Sequence, residues 1–157
     1  MFKSKFQFNT DQLVQKAETD DYFEFEGLAS TADEDLQGEI IKQNFDLSSI
    51  LAGKGYVNDD HGQNYDVKDH SRMGVIDSAE IRKEGLWLKG RVWKDHAATP
   101  AYYNEMKHKP GMVQLSIEGY TMKRDPRNKN VVNKAYVTGV ALTRNPVNTN
   151  TLTPPLS

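Results

Sequence analysis

Alternation of apolar and polar positions dominates the second half of the chain. In "MGVIDSAEIRKEGLWLKGRVWK", residues 73–94, two alternating runs flank "RKEG", the pattern of a β-hairpin with a late glycine in its turn. "MVQLSIEGY", residues 112–120, and "VVNKAYVTGVALT", residues 131–143, alternate in the same way on either side of the turn "RDPRNKN", so they are expected to pair antiparallel. "YFEFEGLAS", residues 22–30, reads as a half-buried strand, and "GYVNDDHG", residues 55–62, as a brief strand running into a polar loop. Gly38 closes the acidic turn of "TADEDLQGEII" and opens a second short strand.

Helical signals are fewer. "TPAYYNEMKHKPG", residues 99–111, has Thr99 as N-cap, Pro100 at the first helical position, and Pro110 with Gly111 as its stop. "NFDLSSILAG" predicts a short helix between Asn44 as cap and Gly53, and "NTDQLVQKAET" another, capped by Asn9 or Thr10. Residues 1–20 are therefore read as a flexible or helical arm, and the Pro-, Asn- and Thr-rich residues 145–157 as an irregular tail. The pattern as a whole predicts one α+β domain over residues 1–157, mainly β with flanking helices.

Composition narrows the function classes. With 20 basic against 22 acidic residues and a net charge of −2, the chain lacks the electrostatic footprint of a nucleic-acid binder. It contains no cysteine, so disulfides, thiolate catalysis and thiolate metal sites are out, in keeping with a reducing cytoplasm. No apolar run reaches a membrane span, and "MFKSKFQF" lacks a signal-peptide core, so neither membrane nor export is expected.

The chemistry-bearing residues lie in two places. On a pleated strand Val113, Leu115, Ile117 and Gly119 share one face, and Gln114, Ser116, Glu118 and Tyr120 the other, which by ordinary one-sided alternation is expected to be wet. His61, next to Gly62, can take a proton from a serine hydroxyl if a third group fixes its tautomer. The same loop offers a rival: Asp59, Asp60, His61, Asp66, Asp69 and His70 are hard and borderline ligands for a hydrolytic cation, though at no tight ligand spacing. His96 and His108 look like surface residues, and Trp87 and Trp93 like core or interface.

Taken in order, "FEGLASTADEDLQGEII", "NDDHG", the "RMGVIDSAEIRKEGLWLKGRVWK" hairpin, a helix, "QLSIEGY" and "VTGVALTRNPVN" resemble the prohead maturation proteases of tailed bacteriophages, over residues 22–148. The resemblance implies the herpesvirus assemblin fold, an antiparallel β-barrel-like core, with His61 as general base and Ser116 as nucleophile. Relatives place the third member, a histidine or glutamate, on the last strand, where this chain has Gly139. Glu118, Thr143, Asp35 and Glu39 stand as candidates for that role, Glu118 first, and Arg144 is the residue the resemblance places to stabilise the oxyanion. It further implies serine-type cleavage of phage scaffold protein and major capsid protein, and of the protease itself, inside the prohead in the host cytoplasm. No cofactor is implied, and a homodimer is allowed. The alternatives are a metal-dependent hydrolase using the Asp59–His70 loop and a non-catalytic capsid-assembly module, for which the missing orienter at Gly139 speaks.

Overall fold

A computed structural model describes residues 6–7, 14–18, 21–30, 40–109 and 111–144. Among these residues ten strands form one mixed sheet: β1 (Phe6–Gln7), β2 (Val14–Glu18), β3 (Tyr22–Ser30), β4 (Ile40–Ile41), β5 (Phe45–Asp46), β6 (Tyr56–Asp59), β7 (Arg72–Arg82), β8 (Gly85–Trp93), β9 (Gln114–Arg124) and β10 (Val131–Thr143). Their order is β1-β9-β10-β6-β7-β8-β3-β2, with β4 and β5 also laid along β10. Among the described residues the path does not return to its start, so the barrel-like core is a curled half-barrel and not a closed barrel.

The hairpin expectations hold. β7 and β8 pair antiparallel down to Arg82 opposite Gly85, and β9 pairs β10 from Arg124–Val132 to Gln114–Thr143. What alternation alone does not carry is pairing direction. β10 is met in parallel by β4, β5 and β6, so the expected antiparallel core is mixed. Parallel partners need a crossover rather than a tight turn, and here the crossover from β6 to β10 holds the β7–β8 hairpin, β9 and a helix. Residues 14–18 correct another expectation: they form β2 against β3 instead of a helix, while Asn9 and Thr10 fall outside the described residues. Strand pairing along β3 won over the weak helical spacing of "NTDQLVQKAET".

Two α-helices among the described residues flank the sheet. α1 (Ser48–Leu51) is a single turn that buries Ile50; Asp46 rather than Asn44 holds its start, accepting the Ser48 N–H at 2.9 Å. Asn44 instead gives its carbonyl to Ala135 on β10. α2 (Thr99–His108) begins one residue earlier than its caps suggest, with Ala98 at the N-cap, because the Thr99 hydroxyl turns back to the Trp93 carbonyl at 2.6 Å. Its Tyr102 enters the core, where Phe23, Phe25, Val57, Leu88, Val92, Leu115, Ile117, Val140 and Leu142 are buried. Each such side chain contributes roughly 1.5–3 kcal/mol by leaving water. No described helix is long and apolar enough to cross a membrane.

Candidate active site

Three central strands put the polar row together. Ser116 on β9 lies beside Ala141 on β10, and Ala141 beside Asn58 on β6; one step along, Glu118 lies beside Gly139, and Gly139 beside Tyr56. Strands two apart are separated by about 10 Å, a gap side chains span only if the middle strand contributes almost nothing. Here it contributes a methyl group and a hydrogen. Tyr56 and Asn58 therefore reach over β10 to the Glu118 carboxylate, the tyrosine hydroxyl donating at 2.9 Å and the Asn58 amide at 3.0 Å. The amide is itself oriented by Ser71, whose hydroxyl donates to Asn58 Oδ1 at 2.8 Å.

A β-bulge tunes this row. Glu118 pairs with Gly139 and Gly119 with Val137, leaving Thr138 as the extra residue. Bulges of this kind re-aim side chains beside functional sites. Thr138 Oγ1 sits 3.1 Å from the Tyr56 hydroxyl and donates to the Glu118 carbonyl at 3.2 Å. The backbones come so close that a Cβ on Gly119 would lie 1.8 Å from the Tyr136 carbonyl oxygen.

His61 reaches the row from above. After β6 the chain makes a tight turn in which Asp60 (φ 46°), His61 (φ 59°) and Gly62 (φ 76°) are all left-handed. Two consecutive non-glycine residues there cost of order 1–3 kcal/mol each, which the surroundings must offset. Thr143 donates to Asp60 Oδ1 at 2.9 Å, and the imidazole makes two bonds. His61 Nδ1 is 2.6 Å from Glu118 Oε2, and Nε2 is 2.9 Å from Ser116 Oγ. A carboxylate only accepts, so the proton sits on Nδ1 and the Nε2 lone pair faces the serine hydroxyl. Hydroxyl, imidazole and carboxylate thus form one hydrogen-bonded chain, the arrangement that lets an imidazole take a proton from an attacking oxygen.

The polar face of β9 is buried, not wet as one-sided alternation suggests. Ser116 is 0% exposed, Glu118 7% and the His61 side chain 0%, because Tyr56, Asn58 and the 60–62 turn close over them. The Tyr56 phenol is raised well above its ordinary pKa, by burial first and then by the Glu118 charge, so it remains a proton donor to that carboxylate. Tyr56 and Asn58 were not singled out in the sequence. The available signal was Gly139 and Ala141, two small residues two apart on one face of the last strand, which leaves room for side chains to cross overhead.

The other expected site residues that the structure describes make different bonds. Arg144 does not join the chain of bonds: its Nε donates to Glu105 at 2.6 Å and its guanidinium stacks 3.8 Å from the Tyr102 ring centre. Thr143 serves Asp60, and Asp35 and Glu39 fall outside the described residues. The acidic loop does not converge on a cation. Asp59 accepts from Tyr102 at 2.5 Å and Tyr65 at 2.7 Å, Asp66, Asp69 and His70 are exposed, and no group of three ligand side chains forms among the described residues.

Gly139 carries a direct expectation. A Cβ there would lie 2.5 Å from the Tyr56 ring, over which the Arg72 guanidinium also sits, 4.4 Å from the ring centre. Gly139→Ala should therefore push the ring off Glu118 and destabilise the protein by about 1–3 kcal/mol. A shifted denaturation midpoint in urea checks this; an unchanged midpoint would mean that the ring moves freely.

No protein-family model and no curated protein matches the sequence. Among solved structures, the capsid assembly protease of bacteriophage T4 is similar, with a TM-score of 0.58 over 90% of this chain and 92% of that one, at 10% sequence identity. At that identity the likeness is one of fold: the curled, mainly β sheet described above is a prohead-protease-like fold.

Proposed function

We propose that this chain is a serine endopeptidase of phage prohead maturation, with Ser116 as nucleophile, His61 as general base and Glu118 as the residue that orients the imidazole and balances its charge. The observation that carries it is the continuous line from Ser116 Oγ through His61 to Glu118, at 2.9 and 2.6 Å. The shared fold with a capsid assembly protease supports the setting.

In this reading Ser116 Oγ attacks a peptide carbonyl carbon as its proton passes to His61 Nε2. The imidazolium, stabilised by Glu118, gives that proton to the leaving amine, the C–N bond breaks and an acyl-enzyme remains. Water then attacks the ester, losing its proton to His61, and the proton returns to Ser116 Oγ as the acid departs. Tyr56 and Asn58 are positioning residues, holding the carboxylate so that the imidazole keeps one tautomer. The herpesvirus assemblin kinship, the scaffold and major capsid protein as substrates, and action inside the prohead belong to the same proposal.

Mass spectrometry after mixing the protein with the scaffold protein of the same phage tests it. Discrete scaffold fragments, unaffected by EDTA, together with a fluorophosphonate adduct mapped to Ser116, are expected. Cleavage that stops with EDTA, or no adduct and no fragments, would overturn the reading.

A further inference from the structure

The outer edge of β9 is not empty. β10 takes one edge of this strand, and on the other β1 pairs antiparallel, Phe6 opposite Ile117 and Gln7 opposite Ser116. β9 is 11 residues long and β1 only two, yet those two sit beside the reacting serine rather than elsewhere along the strand. Ser116 and the His61 side chain are both 0% exposed beneath Tyr56, Asn58 and the 60–62 turn, and β1 takes the edge of β9 that β10 leaves. A polypeptide cannot deliver a carbonyl to an oxygen in that state.

We infer that β1 is an autoinhibitory strand, holding the edge of β9 on which an extended peptide would otherwise be added beside Ser116. The inference rests on the serine-protease reading of the site and names its regulation. A sheet edge binds an extended peptide through main-chain hydrogen bonds, largely without regard to its side chains. The chain's own segment can hold that edge for the same reason. Two residues contribute few hydrogen bonds, each worth about 0.5–1.5 kcal/mol net, so the closure is reversible. Being tethered, the strand competes at an effective concentration on the order of millimolar. Dilute peptides are therefore excluded, and substrates packed to comparable concentration displace it. Activity then follows the local density of substrate with no activating partner.

The test uses the full chain. Successive N–H groups of a strand point to opposite edges, so Phe6→Pro with Gln7→Pro removes whichever donor faces β9 and leaves the rest intact. The rate at which a small fluorophosphonate labels Ser116 is expected to rise by roughly tenfold or more in the double variant, as when a competent state goes from a small fraction to nearly all molecules. A synthetic peptide with the sequence of residues 3–10 should slow it again. Equal labelling rates in the two proteins would overturn this inference alone; no labelling in either would overturn the protease reading and this inference with it. Hydrogen exchange on the otherwise native Ser116→Ala chain gives a second measure, independent of the proline variant's folding. Millimolar residue 3–10 peptide should deprotect the amide of Phe6 or Gln7 while β9 stays protected, and unchanged protection at both would overturn the proposal.

Discussion

Ser116→Ala is expected to lower turnover on a cleavable scaffold by about 10⁴- to 10⁶-fold, because removing the nucleophile of such a triad leaves only binding and oxyanion effects. Its effect on folding is of another order. Ser116 is fully buried, but its replacement deletes one oxygen that bonds His61 at 2.9 Å and leaves β9 paired with β10. The loss is expected to be about 1–3 kcal/mol, the cost of leaving the buried His61 Nε2 without its partner. Urea denaturation and scaffold cleavage measured on the same preparation separate the two. A variant that keeps its activity would show that another group is the nucleophile.

Glu118→Gln should be the next most damaging change, by about 10⁴-fold in kcat with KM little altered, the size seen when a triad carboxylate becomes an amide. Its physical cause can be followed atom by atom. The amide oxygen is expected to stay under the Tyr56 and Asn58 donors, which sit on Oε1 at 2.9 and 3.0 Å. The amide nitrogen then faces His61 Nδ1, 2.6 Å from the present Oε2, and donates to it. That bond moves the imidazole proton to Nε2, where it meets the Ser116 hydroxyl instead of receiving its proton. Nitrogen NMR of the labelled imidazole distinguishes the two tautomers directly. A Glu118→Gln variant with unchanged turnover, or with reduced turnover and the original tautomer, would remove Glu118 from the mechanism.

Much of the architecture follows from local pattern. The pleat of "QLSIEGY" puts Ser116 and Glu118 on one face, and the β7–β8 and β9–β10 hairpins follow from alternation around short turns. The site's assembly does not. His61 and Ser116 are 55 residues apart, and only the parallel seating of β6 on β10 brings them together; parallel neighbours leave no turn signal. Gly139 looks like a missing orienter when the last strand of prohead maturation proteases is the guide. In space it clears a path for Tyr56, and the carboxylate comes from β9 instead. Asp60 and His61 belong to residue types enriched in left-handed backbone, so the turn "DDHG" held a faint trace of its conformation. Burial of the polar face had none, because its cover comes from Tyr56, Asn58 and a turn on a different strand.

The seating of β10 between β9 and β6 has a consequence for a chain still being made. Ser116 and His61 are both synthesised before Val131, but among the described residues β10 is the strand that hydrogen-bonds both of theirs. Pairings so distant in sequence form late and slowly. On the proposed mechanism, a ribosome-bound chain stopped short of that point keeps hydroxyl and imidazole on separate pieces and has no assembled site.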